Sequence, residues 1–290
     1  MEVTDNPAQS ITRRSFLRSS AVALAAGCAT AAASGNEIDD KGGYAPFSMG
    51  IQSYSLRSYN LDEALANTKR LGLHFWEAIH AHIPETNDPA KIKELLAKLR
   101  AADITLSAWG VQGFSADEGK ARATFEFARL MGFKVISADP TPDSLPVLDK
   151  LLEEYKKSNI VIAIHNHGPG ARYDKISSVS AALNGHHPRL GACVDTGHFL
   201  RSGEDPVEAV KTFGARTYDV HLKDVKGKTQ FTELGYGDLR TVDLLKELLK
   251  LKYNGILALE YEEHEKDPLQ YIDICLASTR DAIKKANRKP

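Results

Sequence analysis

Three observations predict an α/β fold, a single closed (β/α)₈ barrel. Short apolar runs alternate with amphipathic stretches from residue 47 to the C-terminus, the runs number eight, and several of them end in His, Asp or Glu. With 290 residues, 42% apolar and 26% charged, the chain can bury one large core, so one domain over residues 47–290 is expected. The formal net charge is −1, with 37 basic and 38 acidic residues spread along the chain. That balance offers no basic stripe for tracking a phosphate backbone, and it argues against nucleic acid as a partner.

The first segment in order is different in kind. Thr12-Arg13-Arg14-Ser15-Phe16-Leu17-Arg18 precedes a small, uncharged run from Ser19 to Ala33 that contains no acid. Such a run is too short and too weakly apolar to span a bilayer, so no transmembrane helix is expected there. The pattern reads as a cleavable twin-arginine export signal over residues 1–35, followed by a polar linker over 36–46, and it places the mature protein in the periplasm. Ala31-Ala32-Ala33-Ser34 offers a cleavage site. Leu24-Ala25-Ala26-Gly27-Cys28 imitates a lipoprotein box, although Ala25 stands where the leucine belongs, and this makes Cys28 a candidate lipid anchor. The other two cysteines, Cys193 and Cys275, lie in apolar runs and read as buried thiols rather than a disulfide framework.

The eight strands are expected at Ser48–Tyr54, His74–Ile79, Thr105–Val111, Lys134–Ala138, Val161–His165, Gly191–Asp195, Thr217–Leu222 and Leu257–Tyr261. Between them, Asp88-Pro89 and Asp205-Pro206 each place a capping acid before proline at a first helical position. Gly72, Gly132 and Gly214 follow helical stretches as C-caps. Leu61, Ala64, Leu65 and Thr68 share one face, as do Ile92, Leu95, Leu96 and Leu99, giving each helix an apolar side to lay on a barrel. No strand is followed by a GxGxxG loop, so no dinucleotide crevice is expected.

Polar residues at C-terminal strand ends have little structural purpose in such a barrel, whose interior layers prefer branched apolar side chains. Four successive strands nevertheless end this way: at His165-Asn166-His167, at Asp195-Thr196-Gly197-His198, at His221-Leu222-Lys223-Asp224 and at Glu260-Tyr261-Glu262. Residues i and i+2 share a face. If His165, Asp195, His221 and Glu260 point inward, two imidazoles and two carboxylates converge, a mixed N/O set suited to one divalent ion. Two imidazoles favour Zn²⁺ or Mn²⁺ over Mg²⁺.

These segments resemble the sugar phosphate isomerase/epimerase family of xylose isomerase-like barrels. The resemblance rests on Cys193-Val194-Asp195-Thr196-Gly197-His198-Phe199, Asp219-Val220-His221-Leu222-Lys223-Asp224, the Gly235-Tyr236-Gly237-Asp238 turn and Leu257-Ala258-Leu259-Glu260-Tyr261-Glu262. It starts at Gly50-Ile51-Gln52-Ser53-Tyr54-Ser55-Leu56, passes through Glu77 and covers nearly everything after the linker. It implies that Asp195, His221 and Glu260 are metal ligands, that Glu260 also handles protons, and that His198 and Lys223 lie near substrate.

There is one departure. Relatives of the ketose 3-epimerase kind carry a glutamate on strand five, where this chain has His165. An imidazole in place of a carboxylate leaves the site about one charge unit more positive and a stronger Lewis acid. A ligated imidazole also has no lone pair left for use as a base. The expected chemistry is removal of the proton beside a carbonyl by Glu260 or His167, with the metal holding the enediolate. Reprotonation, with His167 and Lys223 as candidate donors, makes a sugar isomerase or epimerase. Loss of a β-substituent makes a keto-glycoside lyase, the alternative that export of the protein favours.

Glu77 and Trp109 are expected either to line the pocket, the indole as a platform for a sugar face, or to stand behind it as an acid supporting the ligands and a buried indole. His80, His82 and Glu85 fall on the following loop, His186 and His187 at the opposite barrel end, and His264 in an acidic cluster. A DNA-repair endonuclease of the same barrel type shares the Asp-x-x-His spacing of Asp195 and His198. Its three-zinc site needs further ligands on early strands, where Trp109 and Asp139 stand, and no basic face accompanies them. A non-catalytic sugar-binding barrel would not need four convergent ligand types.

Overall fold

The computed structural model describes residues 42–288. The export signal and Cys28 therefore lie outside the described residues, as does most of the linker. Among the described residues, no helix is long and apolar enough to cross a membrane.

Eight parallel strands close a barrel. They are β1 (Ser48–Gln52), β2 (Phe75–Ala78), β3 (Thr105–Phe114), β4 (Val135–Pro140), β5 (Val161–His165), β6 (Leu190–Asp195), β7 (Thr217–Leu222) and, after a small hairpin, β10 (Ile256–Leu259). Closure is made by β1 on β10, from Ser48 opposite Ile256 to Ile51 opposite Leu259. The hairpin was not foreseen: β8 (Asp224–Lys226) pairs antiparallel with β9 (Gln230–Thr232) directly after β7. All eight expected barrel strands are present, with shifted ends. β1 stops at Gln52 because its side chain accepts from the Tyr54 N–H and starts a 3₁₀ turn. β3 runs on to Phe114, and β10 ends at Leu259, which leaves Glu260 just beyond the strand.

The helices are α1 (Leu61–Arg70), α2 (Pro89–Ala101), α3 (Glu118–Met131), α4 (Leu145–Glu154), α5 (Ile176–Leu183), α6 (Thr196–Arg201), α7 (Pro206–Phe213), α8 (Thr241–Lys250) and α9 (Leu269–Ala286). Asp88 and Asp205 cap α2 and α7, accepting from Ala90 and Val207 N–H, each ahead of proline. Caps of this type contribute about 1 kcal/mol each. Gly132 closes α3 in the left-handed region at φ 85°. Each helix turns its apolar stripe to the sheet, as with Ala64 and Leu65 of α1 and Leu244, Leu245 and Leu248 of α8, all buried. The core therefore has two parts, a layer between strands and helices and the barrel interior, and the interior becomes polar toward the C-terminal strand ends.

Candidate active site

Strand register brings the predicted ligands side by side. A register shift between Ala192 and Cys193 sets Asp195 opposite His221, while His165 pairs with Cys193 and Ala258 with His221. The buried Asn166 amide then brackets Asp195, accepting from its N–H and donating to its carbonyl, both at 2.9 Å. Asp195 Oδ1 caps α6 through the His198 N–H at 2.8 Å, which turns Oδ2 toward the barrel axis.

His165, Asp195, His221 and Glu260 are all buried and each offers one ligand atom, these atoms lying within 4.8 Å of one another. His221 Nδ1 is 3.2 Å from His165 Nε2 and 2.9 Å from Glu260 Oε2, and His165 Nε2 is 3.5 Å from Asp195 Oδ2. No hydrogen bond of acceptable geometry reaches Asp195 Oδ2 or Glu260 Oε2. Buried carboxylate oxygens of this kind are costly unless positive charge meets them, and the one Lys223 ammonium, 3.0 and 3.1 Å away, is a single charge against two carboxylates. Two imidazole nitrogens and two open carboxylate oxygens in one cluster fit a divalent ion of the borderline kind.

Lys223 lies directly after β7 and is buried against this set. Its ammonium is 3.0 Å from Asp195 Oδ2 and 3.1 Å from Glu260 Oε2, and it hydrogen-bonds Glu262. Burial alone would lower its pKa, but the three carboxylates outweigh burial and raise it, so the residue is a fixed positive charge. Gly197 makes this placement possible, since a Cβ there would come within 2.6 Å of Lys223 Cγ. Burial raises the Glu260 carboxyl pKa, yet Lys223 and His221 pull it down to about 2.

Two further imidazoles face the cavity. His198 receives a hydrogen bond on Nδ1 from Arg201 at 3.2 Å, and its Nε2 is 3.4 Å from the Lys223 ammonium. Burial pushes its pKa down to about 3, with Lys223 and His165 adding to the effect. His167 is half-buried and pushed down to about 4 by burial and by His165. It is thus a neutral ring at physiological pH, and it has no hydrogen-bond partner among the described residues. The cavity, about 360 Å³, is closed on the other side by Gln52, Tyr54, Ile79 and Val111.

Trp109 and Glu77 do not line the cavity. Trp109 is fully buried on the outer side of β3, packed on Phe127 and Phe133, with Nε1 donating to the Ile83 carbonyl at 2.9 Å. It offers no platform to a sugar. Glu77 is also fully buried and sits beneath the cavity instead of lining it, accepting from His221 Nε2 at 2.7 Å. His82, on the loop after β2, is buried and tied to Ser53 and the Tyr59 carbonyl. His186 and His187 are half-buried and both engage Asp149. His264 stacks on Tyr271 with centroids 3.7 Å apart.

The aromatic ring at the mouth is one that the sequence reading missed. Phe231, on the hairpin, stands 5.4 Å from the Lys223 ammonium and 5.1 Å from the Arg201 guanidinium, and it meets His198 edge-on at 5.8 Å. Asp224 holds that hairpin in place. Its buried carboxylate accepts from the N–H groups of Val225, Gly235, Gly237 and Leu239. The available signal was the spacing itself, an acid directly after Lys223 followed by the glycine turn at 235–238.

Comparison with known proteins places this geometry. A family model described as the xylose isomerase-like TIM barrel matches residues 65–280. Inosose dehydratase of Mesomycoplasma hyopneumoniae is 29% identical over 152 residues, 45% of this chain and 51% of that protein. Inosose dehydratase of Clostridium tetani is 25% identical over 202 residues, 62% of this chain and 65% of that one. The chain thus matches between about half and two thirds of the length of these relatives. A solved structure of an uncharacterized protein from Parabacteroides distasonis superposes with a TM-score of 0.64 at 26% identity, covering 81% of this chain and 98% of that chain.

Proposed function

The chain belongs to the xylose isomerase-like TIM barrel family, and from that premise we propose a metal-dependent, sugar-modifying enzyme that removes the proton beside the carbonyl of a keto sugar or cyclic keto polyol and completes a β-elimination. His165, Asp195, His221 and Glu260 would hold the ion. When bound, it supplies Lewis-acid polarisation of a carbonyl and the adjacent hydroxyl. The identity of the ion as Zn²⁺ or Mn²⁺ rests on the two imidazoles.

A single observation carries the choice of elimination. Epimerisation calls for two proton-transfer groups on opposite faces of the substrate. Where the second carboxylate would stand, β5 presents His165 with Nε2 turned into the ligand set. Glu262 is tied to Lys223. One free base remains, His167, neutral and without a partner at the cavity wall. In this reading His167 takes the α-proton and, as the imidazolium, returns it to the departing β-oxygen as that C–O bond breaks, while the fixed charge of Lys223 offsets negative charge developing on the substrate oxygens. Two relatives bearing the name inosose dehydratase support the same direction. Export through the twin-arginine signal would bring unphosphorylated glycosides within reach as substrates.

Isomerase or epimerase chemistry is the second reading, favoured by the presence of His167 and Glu260 in one cavity, where one could remove a proton and the other return it. NMR in D₂O with free ketoses, a 3-keto-glucoside and a keto-inositol separates the two. Loss of water or aglycone with a new enone signal supports elimination. Deuterium in an otherwise intact sugar, with no enone, supports the second reading and overturns the first.

A further inference from the structure

We propose that Glu77 is a positioning residue that fixes His221 in the tautomer carrying its proton on Nε2, so that the ring presents a lone pair from Nδ1 to the ligand set. The inference rests on the reading of that set as a cation site. His221 Nε2 lies 2.7 Å from Glu77 Oε2, and on the other edge of the ring Nδ1 faces Glu260 Oε2 at 2.9 Å and His165 Nε2 at 3.2 Å. A neutral imidazole has one donor and one acceptor nitrogen, whereas an ionised carboxylate only accepts. With Glu77 on Nε2, the proton belongs there and Nδ1 is left with its lone pair. Nδ1 also faces a carboxylate, Glu260 Oε2 at 2.9 Å, so the two edges differ only when a cation occupies the ligand set: it takes the Nδ1 lone pair, and the opposite tautomer would then set two acceptors against each other at Glu77.

The buried Asp219 carboxylate lies in the same cluster, its oxygen within 4.8 Å of those of Glu77 and of the His221 ring, which leaves His221 as the one basic group that meets Glu77 among the described residues. Both residues are fully buried, and the second carboxylate oxygen is held by the Ser137 hydroxyl at 2.6 Å. That bond from β4 orients the carboxylate of β2 toward a ring on β7, so three strands cooperate in setting one proton. His165 provides the internal contrast: its Nδ1 is buried with no partner, and no carboxylate dictates its tautomer. A metal-bound imidazole whose remote nitrogen donates to a carboxylate is a better ligand and keeps its orientation.

The test uses the wild-type chain with ¹⁵N-labelled histidine, titrated with ¹¹³Cd²⁺ and observed by NMR, with His221→Gln to assign the resonance. The expected result is scalar coupling of cadmium to Nδ1 of His221 together with a slowly exchanging Nε2–H proton. Coupling to Nε2 of His221 overturns the inference and leaves the cation site standing. Absence of coupling to any histidine removes the cation site and the inference with it. Variants give a second readout: Glu77→Leu should weaken Cd²⁺ binding by about 10–100-fold, and Glu77→Gln, which keeps an acceptor oxygen, by clearly less. Glu77→Leu binding as tightly as wild type, or Glu77→Gln falling as far as Glu77→Leu, overturns it. Should Glu77→Leu fail to fold, the wild-type coupling still decides.

Discussion

The two ends of the barrel use the same polar residue types in opposite ways. At the floor, Arg216 gives its guanidinium to the carbonyls of Leu183, His187 and Leu190, and His186 and His187 both close on Asp149. The Arg216 side chain ends on main-chain oxygens, the His186 ring and the His187 main-chain N–H end on a single acid, and together they hold the loops entering β6 and β7. At the mouth, four histidines, three acids and a lysine face one another, and Asp195 Oδ2 and Glu260 Oε2 have the Lys223 ammonium beside them but no well-aligned hydrogen bond. The floor spends its polar groups on stability. The mouth leaves them open, and its histidines at 167 and 198 titrate well below the ordinary imidazole range. Residue type alone therefore says little about function in this fold, and the identity of the partner says much more.

Substitutions at the two ends sharpen or break that contrast. The largest effect is expected at the ligand set: Asp195→Asn keeps the cap on α6 but should abolish metal retention, measured by metal analysis of purified protein, and reduce turnover to background. A variant that retains stoichiometric metal and activity would refute the site. Next, His167→Ala should lower kcat by about 10²–10³-fold while leaving metal content unchanged. A base with a pKa near 4 works in its neutral form, so the wild-type kcat should be flat above pH 5.5 and fall as pH drops through about 4. A profile breaking near pH 6.5 would point to another base. Phe231→Ala should reduce kcat/KM by about threefold to tenfold, chiefly through KM, because one wall of the mouth is lost. Arg216→Ala reverses the pattern: kcat should be unchanged, and Tm should fall by several degrees, for a loss of about 1–2 kcal/mol. The smallest effect is chemical silence. Cys193 and Cys275 are buried with raised pKa values, Cys275 up to about 12. Neither should react with a thiol reagent until the chain is unfolded, and rapid labelling of either in the native protein would contradict the packing described.

Much of the barrel was legible because hydrophobic runs of strand length leave few alternatives, and the ligand set was legible because four such runs end in the same residue classes. Side-chain direction was harder to read. Trp109 falls in the middle of β3, a strand has two faces, and the outer one packs on α3, where an indole is equally at home. The register shift in β3 between Trp109 and Gln112 removes the parity that alternation would otherwise supply. Glu77 does point inward, but β2 ends one residue later, at Ala78, and the carboxylate stays below the rim. The hairpin escaped notice because three-residue strands of mixed polarity carry no periodic signal. Only its base, Asp224 and the glycine turn, was visible as a motif.

The anchoring of that base makes the hairpin separable from the rest of the mouth. Asp224 fastens the start and the end of the segment at residues 225–239 to the same carboxylate, so the overhanging hairpin is attached as a self-contained cassette. Its turn at residues 227–229 lies between the two hairpin strands, and a library confined to those three positions and Phe231 is the natural place to search for altered substrate range.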